Sequence, residues 1–83
     1  MKKILKIYIR RNLKLSPGKM SAQAVHAALG LVSEVNFDYH KCIVLEVSDI
    51  KFEQAKSSKC YVVIDAGYTE VKPGTETALA FLE

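Results

Sequence analysis

The sequence predicts a small α/β fold: a single domain over residues 1–83, built on a mixed four-stranded sheet in β-α-β-α-β-β order, with one main helix and one short helix. Three observations lead there. Runs rich in β-branched and aromatic residues alternate with segments of helical character. Strand–helix–strand units need parallel pairing through a right-handed crossover, whereas the last two strands pair antiparallel through a loop. The 83 residues are 49% hydrophobic, which is ample for one core and argues against disorder.

The elements follow in order. Ile4 to Arg10 carries apolar groups at both parities, so this strand belongs inside the sheet. Ser16-Pro17 marks a helix start: serine caps, and proline suits the first helical position because its missing N–H has no partner there. The helix runs to Leu31 or Val32, with Gly30 a weak point near its end. Within it Lys19, Gln23 and His26 are spaced four and three apart and share one face with Gly30. Ala22, Val25 and Leu29 form a second stripe, and Met20, Ala24, Ala27 and Leu31 a third. So many alanines predict close packing on a sheet. A loop, Asn36 to Tyr39, precedes a second strand from Cys42 to Val47. Asp49 is expected to cap a short helix from Ile50 to about Lys56. Cys60 to Ile64 forms a third strand; Gly67 and Pro73-Gly74 punctuate the next loop; Thr77 to Leu82 forms the fourth strand. The second helix is short, so one sheet face is thinly covered.

Charge is unevenly placed. Residues 1–33 hold seven cations and no acid, a net +7; the rest holds five cations against nine acids, a net −4. That asymmetry predicts a phosphate-bearing partner, in preference to a basic strand that is merely solvated. No apolar run approaches the roughly 20 residues of a membrane helix. Lys6, Arg10 and Arg11 interrupt any leader-like stretch, so export is rejected and a cytoplasmic protein is expected, with no membrane partner. Cys42 and Cys60 are expected as reduced, buried thiols, and no Cys or His pair has zinc spacing, so no metal site is expected.

Two stretches concentrate the chemistry. One is Ser16 to Ala27, a helix start with a lysine at its mouth and a histidine two turns in. The other is Asp65-Ala66-Gly67-Tyr68-Thr69 running on to Pro73-Gly74-Thr75, a strand ending in an acid and a glycine turn. Side by side they form a cleft with a cation, an imidazole, a carboxylate and hydroxyls, a set able to bind a phosphate-bearing substrate and polarise an ester. Each residue also has a plainer reading: Lys19 as a solvated lysine, Gln23 as a backbone-binding scaffold residue, His26 as a hydrogen-bonded core histidine, Asp65 as a turn-former, and Thr69 and Thr75 as turn and strand residues.

The first stretch, Arg11 to Lys14 and Gly18 to Ala28, resembles the first motif of the archaeal/eukaryotic-type peptidyl-tRNA hydrolases. Asp65 to Thr77 resembles their second. The resemblance implies a compact α/β fold and an esterase, with no metal or cofactor, that releases a peptide from the 3′ end of tRNA. It implies a catalytic set of Lys19, His26, Asp65, Thr69 and Thr75, and a substrate-binding set of Arg10, Arg11, Lys14, Gln23, Gly67, Tyr68 and Gly74. Arg10, Arg11 and Lys14 are expected to grip acceptor-arm phosphates. The chain departs from the pattern in three places. Pro17 stands where a second lysine is common, Tyr68 where an arginine is common, and the segment between Gly30 and Cys42 is too short for the second helix of longer members. The exposed sheet face this leaves favours a homodimer. The rival readings are an RNA-binding module that has lost catalysis and a small protein whose basic strand meets an acidic partner.

Overall fold

The computed structural model describes residues 3–57, 59–67 and 70–83. Strand β1 (Ile4–Arg10) leads through a single 3-10 turn (Arg11–Leu13) to helix α1 (Pro17–Glu34). Strand β2 (Lys41–Val47), helix α2 (Asp49–Ala55), strand β3 (Tyr61–Asp65) and strand β4 (Thr75–Leu82) follow. The sheet order is β2-β1-β4-β3, with β1 parallel to β2 and antiparallel to β4, and β3 antiparallel to β4. The element order is the expected one, and β1 is internal.

Residue parity along β1 sorts the core into two layers. Leu5, Ile7 and Ile9 face α1, where Ala27 and Leu31 close against them and against Ala78 and Ala80. The stripe read as Met20, Ala24, Ala27 and Leu31 is the buried one; Val25 and Leu29 stay exposed. Small side chains on both surfaces let helix and sheet approach closely. On the other face Tyr8, Val47 and Leu79 surround Phe52 of α2, which is fully buried, and Phe81 meets Tyr8 edge-on. This layer is thin, as expected: α2 is two turns long and reaches the sheet through Phe52.

Several local expectations need correction. The main helix continues past Val32 to Glu34, and Gly30 is no weak point. Its missing side chain makes room for the Tyr61 ring, into which a Cβ would run. Ser48, not Asp49, caps α2, its hydroxyl accepting from the Lys51 N–H. Asp49 is thereby released to the first turn, where a carboxylate suits the helix dipole. Cys42 is exposed and Cys60 half-buried, because β2 and β3 are the edges of the sheet. Strand β4 begins two residues early, at Thr75. It carries a bulge: Val63 pairs with Ala78 but Ile64 with Glu76, so Thr77 is the extra residue.

Candidate active site

Helix α1 and the C-terminal end of β3 build the site. Ser16 caps α1, its hydroxyl accepting from the Lys19 N–H, and Pro17 opens the helix as its sequence position predicts. Lys19 therefore stands in the first turn, with Gln23 one turn and His26 two turns further along the same face. Opposite, Tyr61, Val63 and Asp65 point towards α1 in strand alternation, which brings Asp65 under Lys19. All six line one cleft of about 510 Å³.

The Lys19 ammonium lies 2.8 Å from Oδ2 of Asp65, with the lysine side chain 16% and the aspartate side chain 7% exposed. Gln23 Nε2 donates to the same oxygen at 3.2 Å. The Gly67 N–H donates to the other oxygen, Oδ1, at 2.6 Å. Both carboxylate oxygens are thus occupied by donors. The Lys19 ammonium, reinforced by the Gly67 N–H, holds the Asp65 carboxyl below the usual carboxylate range. Such an anion is a poor proton acceptor and a good electrostatic anchor. Gln23 is itself fixed from behind, its Oε1 accepting from the Thr77 hydroxyl at 2.5 Å. His26 is exposed at the cleft wall and makes no hydrogen bond among the described residues.

Both glycines of the loop have structural reasons. Gly67 adopts φ +81°, and a side chain there would run into Pro73. Gly74 adopts φ +85° and donates its N–H to the Asp65 carbonyl at 2.8 Å. The turn after β3 is thereby closed on the backbone of Asp65 as well as on its side chain.

The fold gathers Lys19, Gln23, His26, Asp65 and Gly67, and it keeps others apart from them. Arg10 projects to the α2 face. Its Nε donates to Asp49 Oδ1 at 3.0 Å, another of its nitrogens donates to the Glu76 carbonyl at 2.8 Å, and its guanidinium lies over the Phe52 ring. Arg10 is a structural clamp on α2, not a group at the cleft. Thr75 pairs with Asp65 across the strands, but its hydroxyl donates to the Lys72 carbonyl at 2.7 Å, within the turn. Arg11 and Lys14 are exposed immediately before α1. Tyr68 and Thr69 lie outside the described residues.

Three contributors escaped the sequence reading. Thr77 enters the site only because the bulge rotates it towards α1. Ser16 does more than cap: its hydroxyl donates to Glu70 Oε2 at 2.5 Å while its N–H donates to Oε1 at 2.8 Å. Glu70 is thereby held below the ordinary glutamate range by those two Ser16 donors. It supplies the carboxylate that the first turn of α1 lacks in its own sequence. The only readable signal was that lack. Among the described residues no cluster of three metal-ligating side chains occurs, and no helix is long and apolar enough to cross a membrane.

Comparison with known proteins fits this geometry. The family model described as Peptidyl-tRNA hydrolase PTH2 matches residues 4–82. A protein of Methanopyrus kandleri named peptidyl-tRNA hydrolase is 34% identical over 90 residues, covering 88% of this chain and 78% of its own length. One of the same name from Pyrobaculum aerophilum is 41% identical over 93 residues, with the same coverage. A third, from Methanocaldococcus jannaschii, is 32% identical over 92 residues, covering 89% of this chain and 80% of its own. The family match runs through both halves of the cleft, from the strand before Lys19 to the strand after Asp65, and so this chain belongs to the peptidyl-tRNA hydrolase PTH2 family.

Proposed function

We propose that this chain hydrolyses the ester joining a peptide, or an N-blocked amino acid, to the 3′ end of tRNA, with Lys19 as the group that stabilises the oxyanion. The observation that carries this reading is the 2.8 Å pairing of Lys19 with a carboxylate that two further donors, Gln23 and the Gly67 N–H, hold in place. The ammonium is held at the cleft and at the positive pole of α1, where developing negative charge is favoured. Asp65 is a positioning residue: it aims Lys19 and is itself aimed by Gln23, Gly67 and Thr77.

His26 is the proton carrier. Water attacks the ester carbonyl while the imidazole takes its proton. The carbonyl oxygen becomes the oxyanion facing Lys19. Collapse breaks the bond to the ribose 3′ oxygen, which receives the proton from the imidazolium, leaving a carboxylic acid and a free 3′ hydroxyl. General acid–base transfer of this kind is worth about 10²–10⁴ in rate, and one positioned oxyanion donor about 10²–10³. Thr69 and Tyr68 belong with the substrate-binding loop in this reading. Thr75 and Gly74 act by shaping the turn beneath Asp65.

Arg11 and Lys14 are the phosphate contacts, since both are exposed in the short segment that leads into α1 and Lys19. The whole chain works as one domain, in the cytoplasm where peptidyl-tRNA is found. A homodimer is proposed through the outer edge of β2, beside an apolar groove of about 600 Å³ whose lining includes Met20, Ala24 and Val44; sedimentation showing a monomer at micromolar concentration removes it. The test of the main reading is release of a labelled N-acetyl amino acid from its tRNA by the purified protein. Turnover should fall steeply as salt rises, because phosphate contacts release counterions. Salt-dependent binding without release would leave an RNA-binding module instead.

A further inference from the structure

The cleft does not end at His26. Beyond it the walls turn apolar: Leu29 and Gly30 on α1, and Tyr61 and Val63 on β3, line the same opening as Lys19 and Asp65. Leu29 is 61% exposed, so its side chain is presented to solvent instead of packing in the core. Gly30 lets the Tyr61 ring lie directly against the helix backbone, so the ring itself forms the wall at this end of the cleft.

The two ends differ electrically. From Lys19 to Gly30 the helix rises about 16 Å, at 1.5 Å per residue. Near the Lys19 end, Arg11 and Lys14 are exposed in the segment leading into α1 and Lys72 in the loop that Glu70 ties to Ser16; with Lys19 they make four cations against the two carboxylates of Asp65 and Glu70. Around Gly30 the cleft is lined by Leu29, Tyr61 and Val63, none of them charged, and α1 runs on towards its negative pole at Glu34. A polyanion entering the cleft is drawn to the first end and not to the second. An ester held between Lys19 and His26, with its nucleotide towards the first end, must place its acyl part at the second.

Resting on the hydrolase reading above, we infer that the half of the cleft beyond His26, walled by Leu29, Gly30, Tyr61 and Val63, is the subsite for the peptidyl group, and that it takes apolar side chains of the amino acid esterified to the tRNA. The subsite is open to solvent on the Leu29 side, so it grades substrates without excluding any. An added methylene in a hydrophobic site is worth about 10–200-fold when fully enclosed, and this half-open wall lies near the lower figure.

The experiment compares kcat/KM for N-acetyl-leucyl-tRNA and N-acetyl-glycyl-tRNA in the wild type, Leu29→Ser and Leu29→Arg, with the affinity of deacylated tRNA measured in parallel. Leu29 is exposed, so both variants fold, which a thermal melt verifies. The wild type is expected to favour the leucyl substrate by about 10-fold. Leu29→Ser should cut that ratio at least 3-fold, and Leu29→Arg should cut it further, with deacylated tRNA affinity within 2-fold of wild type in both. An unchanged ratio in an active enzyme overturns the subsite alone. Tighter deacylated tRNA binding by Leu29→Arg overturns it too, by placing the RNA on this wall. Absence of cleavage of either substrate by the wild type overturns the hydrolase reading and the subsite with it.

Discussion

Asp65→Asn separates an anchor from a base. The substitution changes one atom's chemistry and keeps the shape. The new amide oxygen can still accept the Gly67 N–H that Oδ1 now accepts at 2.6 Å. The amide nitrogen then takes the place of Oδ2, which accepts from Lys19 at 2.8 Å and from Gln23 at 3.2 Å. Donor faces donor at both contacts. Gln23 can turn its amide over, because the Thr77 hydroxyl can accept as well as donate. Lys19 has no such escape and swings away. Asp65→Asn should therefore cost what the loss of one positioned oxyanion donor costs, about 10²–10³ in kcat. Lys19→Ala should cost the same. If Asp65 acts only through Lys19, the double variant is no slower than Lys19→Ala alone, because one contribution cannot be lost twice. The assay is single-turnover release of a labelled N-acetyl amino acid from its tRNA ester, with enzyme in saturating excess. If the two losses multiply, to about 10⁴–10⁶, Asp65 has an independent role such as base catalysis, and the anchoring argument is wrong.

Three further outcomes follow from the same contacts. Ser16→Ala removes the cap of α1 and the hydroxyl that binds Glu70; urea unfolding should show a loss of about 1 kcal/mol, at the centre of the range for such caps. Phe52→Ala empties the centre of the α2 layer and should cost about 3–5 kcal/mol; since Phe52 is on the sheet face away from the cleft, the fraction that stays folded should keep wild-type turnover. Thermal stability should fall below about pH 4, the ordinary carboxylate range. Asp49, Asp65 and Glu70 are held below their usual values by Arg10, Lys19 and Ser16 respectively, so their contribution is complete above the unfolded values and is lost as pH drops through the folded ones. At the alkaline end Lys6 and Lys56 are raised, by Glu83 and Glu76, so their contribution holds below about pH 10.4 and fades as pH climbs beyond it. A melting temperature flat down to pH 3 would contradict the acid-side pairing.

What the sequence made legible was local. The strand from Ile4, the serine-proline start of α1 and the shared face of Lys19, Gln23 and His26 each depend on neighbours within one or two turns. All three stand as read. The pairing of Lys19 with Asp65 was reachable because each sits at the end of an element that must pack against the other. The misreadings depended on long-range geometry. Arg10 was assigned to the substrate, but strand parity places it with Lys6 and Tyr8 on the α2 face, where Asp49 awaits it. Cys42 was read as buried because its strand is apolar, yet an apolar strand at a sheet edge stays exposed. Thr77 was passed over for Thr75 because nothing in a run of alternating residues announces a bulge. At Ser48-Asp49 two good capping residues stand side by side, and the chain uses the first as the cap and spends the second on Arg10. Glu70 reaches Ser16 across 54 positions, a distance no local pattern spans.

The most direct test of the central claim is the rate at which Lys19→Ala releases the acyl group at saturating substrate, measured beside its affinity for deacylated tRNA. The account predicts release slowed at least 100-fold, the lower bound for a lost oxyanion donor, with affinity reduced far less. Release at the wild-type rate would contradict it.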